Sequence, residues 1–124
     1  MTSPADVVTA LMDACNRKDL EAALRLFADD AVYHNIPLAP AVGLTAIRET
    51  LGPFLAMADK VDWITHHLVA SAEGIVMTER TDRFHLPSGW LEVPVMGIFE
   101  IRNGKIAAWR DYFDMVPVKP VLGL

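Results

Sequence analysis

Residues 107–115 read AAWRDYFDM. The alternation predicts a β-strand that carries Trp109, Asp111 and Phe113 on one face. The opposite face carries Ile106, Ala108, Arg110, Tyr112 and Asp114, whose charged members prefer water. The face of Ala107, Trp109, Asp111 and Phe113 is therefore expected to point inward. Asp111 then lies in an apolar neighbourhood, where an ionised carboxylate costs several kcal/mol unless a cation and hydrogen-bond donors compensate. The rest of the chain has to supply that partner.

Just upstream, Asn103-Gly104 sits between apolar segments and signals a type I′ turn, which needs positive φ at both central positions. It joins the last strand, 105–114, to another at 90–101. Two further alternating runs at 61–70 and 75–84 precede these, with SAEG, LPSG and RNGK as the joints. Before residue 61 the period is helical. Ser3 as N-cap, Pro4 at the first helical position and Asp6 in the first turn open a helix with Val7, Val8, Leu11, Met12 and Cys15 on its apolar stripe, ending near Lys18. A second helix is expected after Asp19, with Leu20, Ala23, Leu24 and Phe27 on one face and ADDA closing it. VYHNIPLAP then reads as a short extended segment running into a loop bounded by Pro37 and Pro40. A third helix is expected from Thr45 to Ala58, with Ile47, Leu51, Phe54 and Leu55 inward and a kink or break at Gly52-Pro53. Helices first and an antiparallel meander afterwards predict an α+β domain with helices on one face of a sheet. A strongly twisted sheet of this kind leaves a cavity at its open end.

The 124 residues suit one domain spanning 1–124. With 52% hydrophobic and 22% charged residues, no stretch reads as disordered. A net charge of −5 without clustered Lys or Arg argues against a nucleic-acid partner. No apolar run is long enough to span a bilayer, and MTSPADVV has neither a basic start nor an apolar signal core, so a cytoplasmic location is expected. Cys15 is the only cysteine, which excludes an intramolecular disulfide and thiolate metal clusters and leaves a packing role. His34, His66, His67 and His85 include no i, i+4 pair and no HExxH pattern, so no metal site is expected. Walker and GxSxG patterns are also missing.

A partner for Asp111 stands in IVMTERTDRF. Arg80 and Asp82 are two residues apart and share a face with Val76, Thr78 and Phe84. The alternate face, Ile75, Met77, Glu79, Thr81 and Arg83, is equally apolar at its start, so periodicity leaves the direction open, and Arg80-x-Asp82 taken alone reads as a surface ion pair. If both sets face one cavity, Arg80 can sit between two carboxylates, whose burial and repulsion separate their proton affinities. Tyr33 and Asn35 are likewise spaced by two and can jointly position a water molecule. Alternation alone favours Val32 and Ile36 inward, with Tyr33 and Asn35 at the surface.

Taken together, YHNIP at 33–37, RTD at 80–82 and NGKIAAWRDYFD at 103–114 resemble the limonene-1,2-epoxide hydrolase family. The order of helices and strands matches over nearly the whole chain. This resemblance implies the fold shared with ketosteroid isomerase and SnoaL-like cyclases, in which helices pack in the concave face of a strongly curved mixed or antiparallel sheet (cystatin-like cone). It also implies that Asp111, Tyr33 and Asn35 hold the attacking water, that Asp111 takes its proton, that Asp82 protonates the epoxide oxygen, and that Arg80 orients both acids. No metal or organic cofactor enters such a reaction. Alternation and the resemblance together suggest a substrate wall of Phe54, Phe84, Val93, Val95 and Phe113, suited to a small lipophilic epoxide. The chain begins almost at its first helix, whereas the limonene enzyme has an additional N-terminal segment, which bears on pocket closure. Two rival readings are a ketosteroid-isomerase-like or polyketide-cyclase-like enzyme and a noncatalytic small-molecule binder. A homodimer through the outer sheet face is expected, with Trp90, Met96 and Ile98 as exposed apolar residues.

Overall fold

The computed structural model describes residues 2–124. Helix α1 (Pro4–Asn16) opens with a full capping box: the Asp6 backbone N–H donates to Ser3 Oγ at 3.1 Å, and the Ser3 N–H donates back to the Asp6 carboxylate at 3.3 Å. Its inward stripe includes Cys15, a buried packing residue. Helix α2 (Leu20–Leu24) is capped by Asp19 and is only 5 residues long.

Phe27 and ADDA do not continue this helix. They begin strand β1 (Phe27–Asn35), which pairs in parallel with the last strand, Phe27 opposite Ile106 and Asn35 opposite Asp111. The register slips between Phe27 and Val32, where Asp29 and Asp30 are exposed, so sheet pairing wins over a helical reading of a polar stretch without an apolar stripe. A two-residue strand β2 (Ala41–Val42) pairs with β1 inside the segment expected as loop. Helix α3 (Leu44–Ala56) passes through Gly52-Pro53 without a break. Pro53 lies one turn from the helix end, so its missing N–H removes a single bond, and its own carbonyl accepts from Met57 at 3.0 Å. Leu51 and Leu55 stay docked on either side.

The remaining strands are β3 (Lys60–Ala70), β4 (Ile75–Leu86), β5 (Gly89–Arg102) and β6 (Lys105–Tyr112), followed by a short helix α4 (Lys119–Leu122). Asn103 and Gly104 have φ of 53° and 74°, as the turn chemistry requires. The sheet has 6 strands in the order β2-β1-β6-β5-β4-β3 and is mixed, because only β1 and β6 run parallel. Helix α1 crosses β3, β4 and β5, while α3 covers β1 and β2, so the core lies between helices and one sheet face. The fold is the expected α+β cone.

The last strand departs from strict alternation. Glu100 pairs with Ala108 and Ile101 with Ile106, which leaves Ala107 as an extra residue in a β-bulge. Ile106, expected outward, is therefore fully buried, and Ala107, expected inward, is half-exposed. Past the bulge, Trp109 and Asp111 recover the inward phase. The strand ends at Tyr112, so Phe113 and Asp114 lie beyond it. On the outer face Trp90 and Met96 are exposed, but Ile98 is half-buried and offers less apolar surface than expected.

Candidate active site

Pairing register brings the singled-out residues together. One row across the sheet runs Asn35, Asp111, Gly97, Thr78 on β1, β6, β5 and β4. A neighbouring row runs Val93, Asp82, Trp63 on β5, β4 and β3, and Arg80 sits between the rows, two residues from both Thr78 and Asp82. All point into the core. Arg80-x-Asp82 is thus no surface pair, and Tyr33 and Asn35 face inward while Val32 and Ile36 are only half-buried, contrary to simple alternation. The parallel pairing of β1 beside β6, together with its irregular start, sets this phase.

Arg80 is the centre of the site, with its side chain wholly removed from solvent. Its Nε and Nη2 donate to the two oxygens of Asp82 at 3.0 and 2.9 Å. Nη1 and Nη2 donate to the two oxygens of Asp111 at 3.2 and 2.8 Å. Nη1 also donates to Thr78 Oγ1 at 3.0 Å. These bonds match the guanidinium's five N–H groups one for one, which offsets the cost of burying the cation. Burial alone pulls the Arg80 pKa down, but the charges of Asp111 and Asp82 outweigh it and hold the pKa above the ordinary arginine value.

Asp111 Oδ1 also accepts from Trp109 Nε1 at 2.7 Å. Asp82 has no such extra donor among the described residues. Burial pushes its pKa up from 3.8 to about 6; Arg80 opposes this shift and Asp111 adds to it. The two acids are thus chemically distinct. Tyr33 donates its hydroxyl to Asn35 Oδ1 at 3.3 Å and stacks on Trp109 with ring centroids 4.2 Å apart. Burial, reinforced by Asp111, raises the Tyr33 pKa well above its usual value, so the phenol stays neutral. Asn35 Nδ2 is buried without a hydrogen-bond partner among the described residues.

Asp82, Asp111, Tyr33 and Asn35 contribute to the wall of a solvent-connected cavity whose empty space, open solvent included, is about 410 Å³. Phe54, Phe84, Val93, Val95 and Phe113 all line it, as expected. The sequence reading missed Met57, Trp63, Leu91 and Val118, which complete the wall. It also missed Gly97. A Cβ there would lie 2.4 Å from Arg80 Nη1, 2.7 Å from Asp111 Oδ1 and 2.9 Å from Thr78 Oγ1, so the absent side chain is the space the guanidinium occupies. A glycine inside an otherwise apolar strand was the available signal. No cluster of His, Cys, Asp and Glu suited to a metal occurs among the described residues.

A mixed six-stranded sheet with helices packed on it, holding a buried carboxylate–guanidinium–carboxylate bridge at the wall of a largely apolar cavity, defines a cone-fold α+β protein. The family model described as the limonene-1,2-epoxide hydrolase catalytic domain matches residues 2–119. The chain belongs to this family. It is 30% identical to epoxide hydrolase EphG of Mycobacterium tuberculosis (strain ATCC 25618 / H37Rv) over 109 residues, covering 87% of this chain and 71% of that protein. Among solved structures, an M. tuberculosis epoxide hydrolase of the same type superposes with a TM-score of 0.79 at 27% identity, covering 96% of this chain and 88% of the other. SalBIII, described as an epoxide hydrolase/cyclase-like enzyme, shares the fold with a TM-score of 0.82 at 19% identity over 92% of each chain. Membership and the EphG likeness support an enzyme of epoxide hydrolysis in general.

Proposed function

We propose that this protein hydrolyses a small lipophilic epoxide to a vicinal diol in one step, with an activated water and no covalent enzyme intermediate. The observation that carries this reading is the Arg80 bridge, which joins two wall carboxylates at 2.8–3.2 Å while their environments differ. Water donates one proton toward Asp111 and the other toward Tyr33 Oη, and accepts from Asn35 Nδ2. Its remaining lone pair attacks an epoxide carbon. As the C–O bond breaks, Asp82 gives its proton to the leaving oxygen and Asp111 takes the proton of the water. Transfer of that proton from Asp111 back to Asp82, beside Arg80, restores the starting state. Each acid–base role contributes roughly 10² to 10⁴ in rate.

Phe54, Phe84, Val93, Val95 and Phe113 hold the hydrocarbon part of the substrate. A proton-shuffling isomerase of the same fold would need a base at the position where Asn35 has an amide, which disfavours that rival. The reaction draws on no metal or organic cofactor, and the chain works as one domain in a cytoplasmic homodimer formed through the outer sheet face. In this face Met77, Met96 and Tyr112 are about half exposed. A single turnover in ¹⁸O-labelled water tests the mechanism: the label enters the first diol directly. Unlabelled diol in that turnover, with its oxygen taken from an aspartate, would overturn it.

A further inference from the structure

Two buried side-chain donors have no partner among the described residues, Asn35 Nδ2 and Trp63 Nε1. Both residues line the cavity. Asn35 is beside Asp111 in the β1–β6 register, whereas Trp63 is beside Asp82 in the β3–β4 register. Buried polar groups are normally paired, and an exception at a cavity wall points to a ligand that completes the bond. The water accounts for Asn35. Nothing yet accounts for Trp63.

The indole is held in place from several sides. The Asn16 amide makes a two-bond bridge to the Trp63 backbone, donating to its carbonyl at 3.1 Å and accepting from its N–H at 2.7 Å. The ring meets Phe84 and Trp109 edge-on, at centroid separations of 5.9 and 6.3 Å, and lies 5.7 Å from Arg80 Cζ. Only 5% of the residue is exposed. The other donors at the site are committed: all five N–H groups of Arg80 are engaged, Trp109 Nε1 serves Asp111, and the Tyr33 hydroxyl serves Asn35. Besides Asn35 Nδ2, Trp63 Nε1 is the uncommitted side-chain N–H among the described residues that line the cavity, and its residue pairs with Asp82.

We infer that Trp63 Nε1 donates a hydrogen bond to the epoxide oxygen and, with Asp82, stabilises the negative charge that develops there as the ring opens. This rests on the hydrolase reading above. The division of work is definite: Asp82 transfers its proton to that oxygen, while the indole N–H keeps its proton throughout and contributes a fixed dipole. Such a bond strengthens as the C–O bond breaks, because charge accumulates on the acceptor, so it acts on kcat more than on KM. Trp63 is thus assigned as a catalytic residue.

Cyclohexene oxide tests this, because its epoxide oxygen is its only acceptor. Trp63→Phe keeps an aromatic ring and removes the N–H. The expected result is a kcat lower by roughly tenfold to a hundredfold, toward the loss seen for single oxyanion donors, with KM changed by less than about threefold. Replacement of Trp63 by β-(3-benzothienyl)alanine keeps the bicyclic shape and exchanges N–H for sulfur, so it gives the same loss with unchanged thermal stability. Wild-type kcat in the benzothienyl variant overturns the assignment, as does a loss confined to KM. On ¹⁵N-tryptophan-labelled protein, the indole signal that disappears in Trp63→Phe is expected to move downfield on titration with trans-cyclohexane-1,2-diol. An unmoved signal at saturation overturns the assignment as well. A wild-type protein that turns over no epoxide in a lipophilic panel sinks the hydrolase reading itself, whereas active wild type with unaffected variants sinks only the role of Trp63.

Discussion

Arg80 and Arg83 stand three positions apart on β4, and each bridges two carboxylates from different strands. On the inner face, Arg80 joins Asp82 and Asp111 with side-chain exposures of 0%, 7% and 4%. On the outer face, Arg83 donates to Asp62 at 2.7 Å and to Glu92 at 3.1 Å and lies 4.1 Å from the Trp90 ring centroid, with a quarter of its side chain in solvent and its two acids about half exposed. The pairing pattern is nearly the same. Its consequences are not, because solvent screens the outer cluster, whereas burial makes the inner one a fixed frame in which the Asp82 carboxyl is pushed up to about 6.

The widest split between the two bridges is expected from deleting the cations. Arg80→Met leaves two buried acids without their cation and with several lost donors, and breaking a buried charge pair of this kind costs about 3–5 kcal/mol. Urea unfolding is expected to show that loss or outright failure to fold, together with no measurable hydrolysis. An Arg80→Met protein as stable as wild type would mean that the inner bridge is no more than another surface pair.

Asp82→Asn probes the frame more gently, since it retains shape and removes the proton to be transferred. A fall in kcat of about 10² to 10⁴ is expected with the fold intact, and full activity would remove Asp82 as the acid. The pH profile carries the same test. Because its pKa is pushed up to about 6, Asp82 loses its proton as pH rises through that value, so kcat/KM is expected to decline above pH of about 6. The stability consequence has the same sign. An unfolded chain ionises this group near 3.8, so its contribution is fully present below that pH and disappears as pH climbs through about 6. In Asp82→Asn that segment of the stability curve should flatten.

Gly97→Ala asks whether the inner frame tolerates one carbon. The added Cβ would stand 2.4 Å from Arg80 Nη1, and although this is the end of a long side chain, its bonds to Thr78 and to both aspartates leave it no free direction in which to retreat. Overpacking of this kind costs about 1–3 kcal/mol. The expected outcome is a lower melting temperature and a larger proportional loss of kcat than of substrate affinity. Unchanged kcat would show that Arg80 need not stay where it is.

The same inner–outer contrast explains what could be read from the sequence. Alternation and Asn103-Gly104 located the four antiparallel strands, because each pairs with its chain neighbour and each turn is local. Strand β1 was only partly legible: Ala28-Asp29-Asp30-Ala31 breaks alternation, and its partner β6 lies some 80 positions away in parallel pairing. The inward turn of Tyr33 and Asn35 follows from that long-range register, and the burial of Ile106 follows from a bulge that no local pattern announces. Arg80 and Arg83 were equally ambiguous, as both faces of β4 begin apolar. Alternation placed Asp111 inward, whereas motif resemblance rather than periodicity favoured the inward direction of Arg80 and Asp82 over a surface pair. Gly97 and Trp63 matter only through the residues opposite them in neighbouring strands, so their roles became visible once pairing was known.

The smallest effect is expected where the contrast is sharpest in position. Arg83→Ala removes a guanidinium linked to two acids and stacked on Trp90, a set of contacts that a count of ion pairs would rank beside those of Arg80. Exposed pairs contribute about 0–1 kcal/mol, because water solvates the separated ions nearly as well and salt screens what attraction is left. The stacking on Trp90 adds about 0.5–1 kcal/mol at such a site. A stability loss near 1 kcal/mol that shrinks in high salt is therefore expected, with kcat and its pH dependence unchanged. If Arg83→Ala instead shifted the alkaline limb of the profile, charges on the two sides of β4 would be coupled through the sheet, and the proton affinity of Asp82 would have to be credited to the whole strand rather than to its burial beside Arg80.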